Sequence, residues 1–402
     1  MHKLRHRFAV PVVASALALA ASWASLEWTD AVIWHHRGDD GASYLAVRML
    51  LLAVAVAAAI AAALHGVAGA RLPLGCRRAL VAACACFASV LLLEIAFTFV
   101  ARSHGVGYTL AGRVWHERHW SPINALGYRD AAGTPAPGQR VVWLLGDSFT
   151  SGHGLADVAQ RFGDQLAALR PDLHVVNLGQ SGADTAEELR HLRAYPGRPD
   201  LLVLQHFVND FDGAAERVGR AIPSFAPYQD LQSTRLRFLV RGSYLANFLY
   251  WQFAHGDAEA SERFARSAIA DEAGARLHET DLAAVHEWAV AHDVPLYVLL
   301  VPRLEDPERS RPADERVRRF FADRGVPTID AARCLADLPV AARVVNAHDA
   351  HASALANERI ARTSGSRSSK CCATIPESRA TPCVSCFMSL EPIVMPSKNS
   401  RN

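Results

Sequence analysis

Five apolar residues, Val141-Val142-Trp143-Leu144-Leu145, run directly into Gly146-Asp147-Ser148-Phe149-Thr150-Ser151-Gly152. No polar residue alternates with them, so a strand here would be apolar on both faces. A run this short fits a strand buried inside a parallel sheet. Such a sheet needs crossover connections, so this segment predicts alternating strands and helices around it. A serine at the carboxyl end of that strand, flanked by glycines that let the chain turn sharply, stands where open α/β sheets bind their ligands.

The rest of the chain supports the alternation. Strands are expected at 140–145, 174–178, 200–205, 295–301 and 326–329, and helices at 157–169, 185–194, 281–292, 313–324 and 352–361. Thr185 and Glu188 are spaced as a capping box for the second of these helices. The predicted fold class is α/β, a three-layer parallel sheet of flavodoxin-like type. Residues 211–278 interrupt the pattern, with Pro223, Pro227 and the aromatic cluster Tyr244, Phe248, Tyr250, Trp251 and Phe253. This stretch reads as a helical excursion packing its aromatics on the domain, or as a lid or membrane-facing flap.

Three further blocks follow Gly146-Asp147-Ser148 in order: Ser181-Gly182-Ala183-Asp184-Thr185, Val208-Asn209-Asp210 and Asp349-Ala350-His351. Together they resemble the SGNH (GDSL-type) hydrolase family over about residues 120–362. The stretch Asn124-Ala125-Leu126-Gly127-Tyr128-Arg129-Asp130 resembles one that precedes the first strand in exported members. A serine hydroxyl is a weak nucleophile without a base in reach, and His351 supported by Asp349 is the candidate base. The resemblance implies an oxyanion hole from the Ser148 N–H, the Gly182 N–H and the Asn209 side-chain amide. Gly179 is a rival for the glycine role. His348 is a rival to His351, and the His348, Asp349, His351 cluster has a metal-site reading. No second group of ligands at matched spacing accompanies it, so no metal is expected. His116 and His119, flanked by Trp115 and Trp120, read as packing residues. Asp147 and Asp210 read as acids that fix loops. Phe207 stands where the family usually has glycine; it narrows the acyl pocket toward acetyl, or it points into the core.

The two ends read differently from the middle. Segments 8–28, 43–64 and 79–100 are each long and apolar enough to span a bilayer. The first also fits a cleaved leader. Arg48 lies near the start of the second span and can reach an interface. Glu94 lies within the third and is read as functional, or as facing the helix bundle or the outer interface. Lys3, Arg5 and Arg7 precede the first span, and Arg71, Arg77 and Arg78 separate the second from the third. The positive-inside bias then puts everything after about residue 103 outside the cytoplasm. The expected division is a transmembrane anchor at 1–102, an extracytoplasmic hydrolase domain at 103–363 and an aberrant or disordered tail at 364–402. Two of the chain's three lysines fall in that tail, as do Cys371, Cys372, Cys383 and Cys386, which offer at most a weak zinc reading. The eight cysteines make no disulfide framework, and Cys334 is alone in the hydrolase domain. A net charge of +2 without a basic stripe gives no support for nucleic-acid binding.

The expected function is a membrane-anchored serine esterase, multi-pass in the inner membrane, with its catalytic domain facing the periplasm or cell exterior. It would remove acetyl or other small acyl groups from an envelope carbohydrate or another ester, with no cofactor. An O-acetyltransferase would use the same residues, and a scaffold or glycan-binding subunit with a vestigial site is the non-enzymatic alternative. The bilayer and an acylated substrate are the expected partners, and the sequence names no protein partner.

Overall fold

The computed structural model describes residues 73–365 apart from 106–107, 132, 222–230, 232–234, 236 and 254–257. The expected spans at 8–28 and 43–64, the leader reading, Arg48, Pro223, Pro227 and the cysteines of the tail lie outside the described residues. Two compact units make up the chain, Met1–Arg118 with Ser224–Ala258, and His119–Pro223 with Glu259–Asn402. Part of the 211–278 interruption belongs to the first of these units.

In the first unit, helix α1 (Leu74–Phe97) covers most of the third expected span and α2 (Leu110–His119) follows it. Among the described residues no helix is long and apolar enough to cross a membrane, so the expected three-helix bundle finds no support there. Glu94 of α1 is buried and turned toward protein. It accepts hydrogen bonds from Ser243 Oγ at 2.6 Å and from the N–H groups of Tyr244 and Leu245 at 2.6 and 3.0 Å. Those residues open a later helix of the same unit, Tyr244–Phe253, whose first N–H groups have no partners of their own. The aromatics of that helix pack within this unit, Phe248 on Phe97 and Trp251 on Tyr108, each with ring centroids 4.7 Å apart. Phe97 falls in the expected anchor and Tyr108 in the expected 103–363 domain, so the aromatics meet both stretches of sequence. Their partners are far away in sequence, which no local pattern encodes.

The second unit carries the sheet. Its strands are β1 (Arg140–Gly146), β2 (Leu173–Gly179), β3 (Leu201–His206), β4 (Leu296–Leu300) and β5 (Thr328–Asp330), all parallel in the order β2-β1-β3-β4-β5. This order reverses direction at β1, and the crevice between β1 and β3 is where such sheets bind ligands. Side chains alternate across the sheet: Val142 and Leu144 enter one buried cluster, Trp143 and Leu145 the other. The doubly apolar run is thereby explained, since full burial of each such side chain contributes about 1.5–3 kcal/mol. Helices α3 (Ser148–Ser151), α4 (Phe162–Leu169), α5 (Thr185–Ala194) and α6 (Asn209–Arg217) connect the first strands. In the first unit, α7 (Arg237–Gly242) precedes α8 (Tyr244–Phe253). Next come α9 (Ala258–Ala270), α10 (Glu272–Ala291) and α11 (Pro307–Ala322). The last elements are α12 (Ala331–Cys334), α13 (Val340–Arg343), the hairpin β6 (Val344–Asn346) with β7 (Asp349–Ala352), and α14 (Ala354–Gly365).

Three expectations shift locally. The helix expected from 157 is broken at Arg161, which is extended at φ −70° and ψ 148°, so α4 starts at Phe162. The α5 cap lies one residue earlier than expected: Asp184 accepts from the Glu187 N–H at 2.9 Å, and Glu188 is buried instead. The hairpin was not expected at all, and it carries the last block.

Candidate active site

Strand β1 ends at Gly146, and Asp147 caps the short helix α3 by accepting from the Phe149 N–H at 2.9 Å. Ser148 is therefore the first residue of a helix at the carboxyl edge of the sheet. Gly146 pairs with Gly179 at the end of β2. A side chain at Gly179 would collide with the backbone of Thr150 and Ser151, so that glycine lets the turn carrying Ser148 sit against β2.

The hairpin brings the last block to the serine from 203 residues away in sequence. His351 Nε2 lies 2.9 Å from Ser148 Oγ, and His351 Nδ1 lies 2.6 Å from Asp349 Oδ1. An ionised carboxylate can only accept, so Nδ1–H donates to Asp349 and Nε2 accepts from the serine hydroxyl. Asp349 is buried, while Ser148 and His351 are half-buried and open to a substrate. His348 is exposed in the hairpin turn, where its backbone N–H donates to Asn346 Oδ1 at 2.9 Å. Of the two histidines, His351 is the one within hydrogen-bond reach of Ser148.

Asn209 opens α6 just past β3 and points toward the nucleophile loop. Its Nδ2 donates to Asp147 Oδ2 at 3.1 Å, which leaves the second amide hydrogen free of that bond. Burial pushes the Asp147 carboxyl up, opposed by the Phe149 N–H, the His351 ring and the Asn209 amide. Gly182 stands exposed in the turn after β2 at φ +83°. A 3.3 Å contact between Ser181 and Ser151 Oγ links that turn to α3. Gly179 is the weaker donor, because its N–H already goes to Asn177 Oδ1 at 2.9 Å. Ser148, Gly182 and Asn209 thus follow three adjacent strands on one edge. Phe207 is half-buried and packs against both buried clusters. Its ring packs on Phe149 at 4.7 Å, and Phe149 packs on His351 at 5.1 Å.

Several supporting residues escaped the sequence reading. Buried Arg129 donates to the carbonyls of His119, Ser151, Gly152 and Leu155, and so pins the loop after α3. Arg161 donates to the Arg129 carbonyl and pairs with Asp164 at 2.7 Å. Asp130 accepts from the Asn177 N–H at 3.0 Å, and Asn177 Nδ2 donates to the Thr150 carbonyl at 2.7 Å. Gln205 Oε1 accepts from Thr150 Oγ1 and the Asp147 N–H at 2.8 and 3.2 Å. A signal existed for two of these: Asn177 and Gln205 are polar residues within largely apolar strands. His153 is the other omission, its ring 4.5 Å from that of His351. His153, Asp349 and His351 have ligand atoms close enough to share a metal ion, but Asp349 and His351 are already committed to each other and to Ser148. Asp210 is buried, faces His206 at 3.5 Å, and has the Phe207 N–H and the Thr185 hydroxyl beside its carboxyl.

No family model matches the chain, and no curated protein matches it. Solved structures do. A lipolytic protein of the G-D-S-L family from Veillonella parvula is 12% identical over 55% of this chain and 94% of its own, with a TM-score of 0.35. TesA is 18% identical over 56% of this chain and 94% of its own, also at 0.35. The lipase Lip_vut3 from a goat rumen metagenome is 13% identical over 56% of this chain and 95% of its own, at 0.37. At such scores none of them carries a step of the chemistry, which rests on the geometry above.

Proposed function

We propose that this chain is an SGNH-type serine ester hydrolase that removes a small acyl group, such as acetyl, from an envelope or extracellular carbohydrate. The observation that carries the reading is the hydrogen-bonded series Ser148–His351–Asp349 at the carboxyl edge of the sheet. Ser148 Oγ attacks the ester carbonyl while its proton passes to His351 Nε2, and Asp349 steadies the imidazolium. The Ser148 and Gly182 N–H groups and the Asn209 amide take the charge that develops on the carbonyl oxygen. His351 then protonates the leaving alcohol, and a water deprotonated by His351 releases the acid and restores Ser148. The Phe207–Phe149 pair beside His351 supports a short acyl chain. The membrane anchor and the extracytoplasmic placement are proposed from the basic residues that flank the apolar N-terminal segments.

The purified full chain should hydrolyse short acyl esters and label with a fluorophosphonate, and Ser148→Ala should do neither. A wild-type chain that does not label favours the scaffold reading. Recovery of an acylated glycan in place of free acid assigns the same residues to transfer.

A further inference from the structure

Behind the proposed site lies a second group of chemically capable side chains that the ester chemistry does not use. His206 ends β3, Asp210 lies in the first turn of α6, and His278 lies in α10. All three are buried, and one ligand atom from each lies within 4.8 Å of the others. His206 Nε2 is 3.5 Å from Asp210 Oδ2. Glu188 of α5 is buried as well, and the Asp210 charge acts on it. Both carboxylate oxygens of Glu188, both ring nitrogens of His206 and His278 Nδ1 make no hydrogen bond, and Asp210 has only the Thr185 hydroxyl and the Phe207 N–H beside its carboxyl. So many unbonded polar atoms are costly in an apolar interior, each by about 1–3 kcal/mol. Phe211 closes the group, its ring 4.4 Å from that of His278.

We propose that His206, Asp210 and His278, with Glu188 beside them, hold one divalent transition-metal ion, with zinc the best match to a nitrogen and carboxylate donor set. Two neutral imidazoles and two carboxylates balance a dication, so the buried group is neutral as a whole. Zinc bonds of about 2.0–2.2 Å set ligand atoms roughly 3.3–3.6 Å apart. The widest pair therefore closes by about 1 Å, within reach of small side-chain rotations. His278 already has the outer contact that ligating imidazoles use: Thr185 Oγ1 lies 3.3 Å from Nε2, which leaves Nδ1 for the metal. The ion does not touch substrate. It ties β3, α6 and α10 together and steadies the start of α6, where Asn209 stands.

The test is the metal content of the purified, tag-free full chain after dialysis without chelator, read by plasma mass spectrometry. About one zinc per chain is expected in the wild type and in Ser148→Ala, falling to a tenth or less in His278→Ala and Asp210→Asn. Chelator should lower the wild-type melting temperature, and cobalt(II) should give a visible absorption that His278→Ala lacks. A wild-type chain that melts cooperatively, carries less than a tenth of an equivalent and takes up neither zinc nor cobalt overturns the site. Undiminished zinc in both variants overturns it too. Should the variants not fold, the wild-type stoichiometry and the chelator shift decide.

Discussion

At Asn209 one amide hydrogen is already spent on Asp147, so the other is the one that can meet a developing oxyanion. Asn209→Ala should lower kcat by about 10²–10³ with little change in KM, because the donor acts where charge appears in the transition state. His351→Ala should cost about 10³ or more in turnover, and His348→Ala should stay close to wild type. Steady-state kinetics on an acetyl ester checks all three, and a reversal between the two histidines would dismantle the relay. Phe207→Gly opens space beside Phe149, so activity on butyryl relative to acetyl esters should rise. An unchanged chain-length profile would remove the case for a small acyl pocket.

At the scale of elements, the loop after α3 and the β6–β7 hairpin must approach closely. Gly154 makes this possible: it has φ +84°, and a Cβ there would stand 2.9 Å from Asp349 Oδ2 and 2.5 Å from Val345 Cγ2. Gly154→Ala should push the hairpin away and lower kcat more steeply than it lowers thermal stability, which paired kinetics and melting curves would separate. Arg129 acts on the other side of the same loop. Replacing it with methionine leaves four carbonyls without their donor, and the loss should be on the order of 3 kcal/mol in denaturant unfolding. The Asn124–Asp130 stretch was visible in the sequence as a resemblance, but its role was not. The partners of Arg129 are backbone carbonyls, which carry no sequence signature.

Across the whole molecule, buried charge sets how stability follows pH. Burial pushes the Asp314 carboxyl up to about 7, helped by Asp330 and opposed by Ser310 and Arg318. Its unfolded value is about 3.9, so the folded state holds the proton more tightly. The stability this contributes is present below about pH 4 and is lost as pH rises from there to about 7. Asp314→Asn should therefore raise the melting temperature at pH 8, by the equivalent of about 1 kcal/mol or more, and leave it nearly unchanged at pH 4. The proposed topology is a separate matter at this scale. A reporter fused after residue 110 should be active only outside the cytoplasm, and activity restricted to the cytoplasm would reverse the placement.

Local pattern was enough for the sheet and for the order of its parts. Strand β1 could be read because a segment buried on both faces must be apolar at every position, whereas the four blocks were read through the family they resemble. The candidate triad came with that resemblance, and nothing in Asp349-Ala350-His351 announced a β-hairpin. Tertiary structure alone decided what depends on distant chain meeting distant chain. It turned Glu94 of α1 toward the N-terminus of α8, set Phe207 against Phe149, and gathered His206, Asp210 and His278 in one buried place. Hydrophobic periodicity reports which face of an element is covered, whereas the identity of the covering residue depends on how the elements cross.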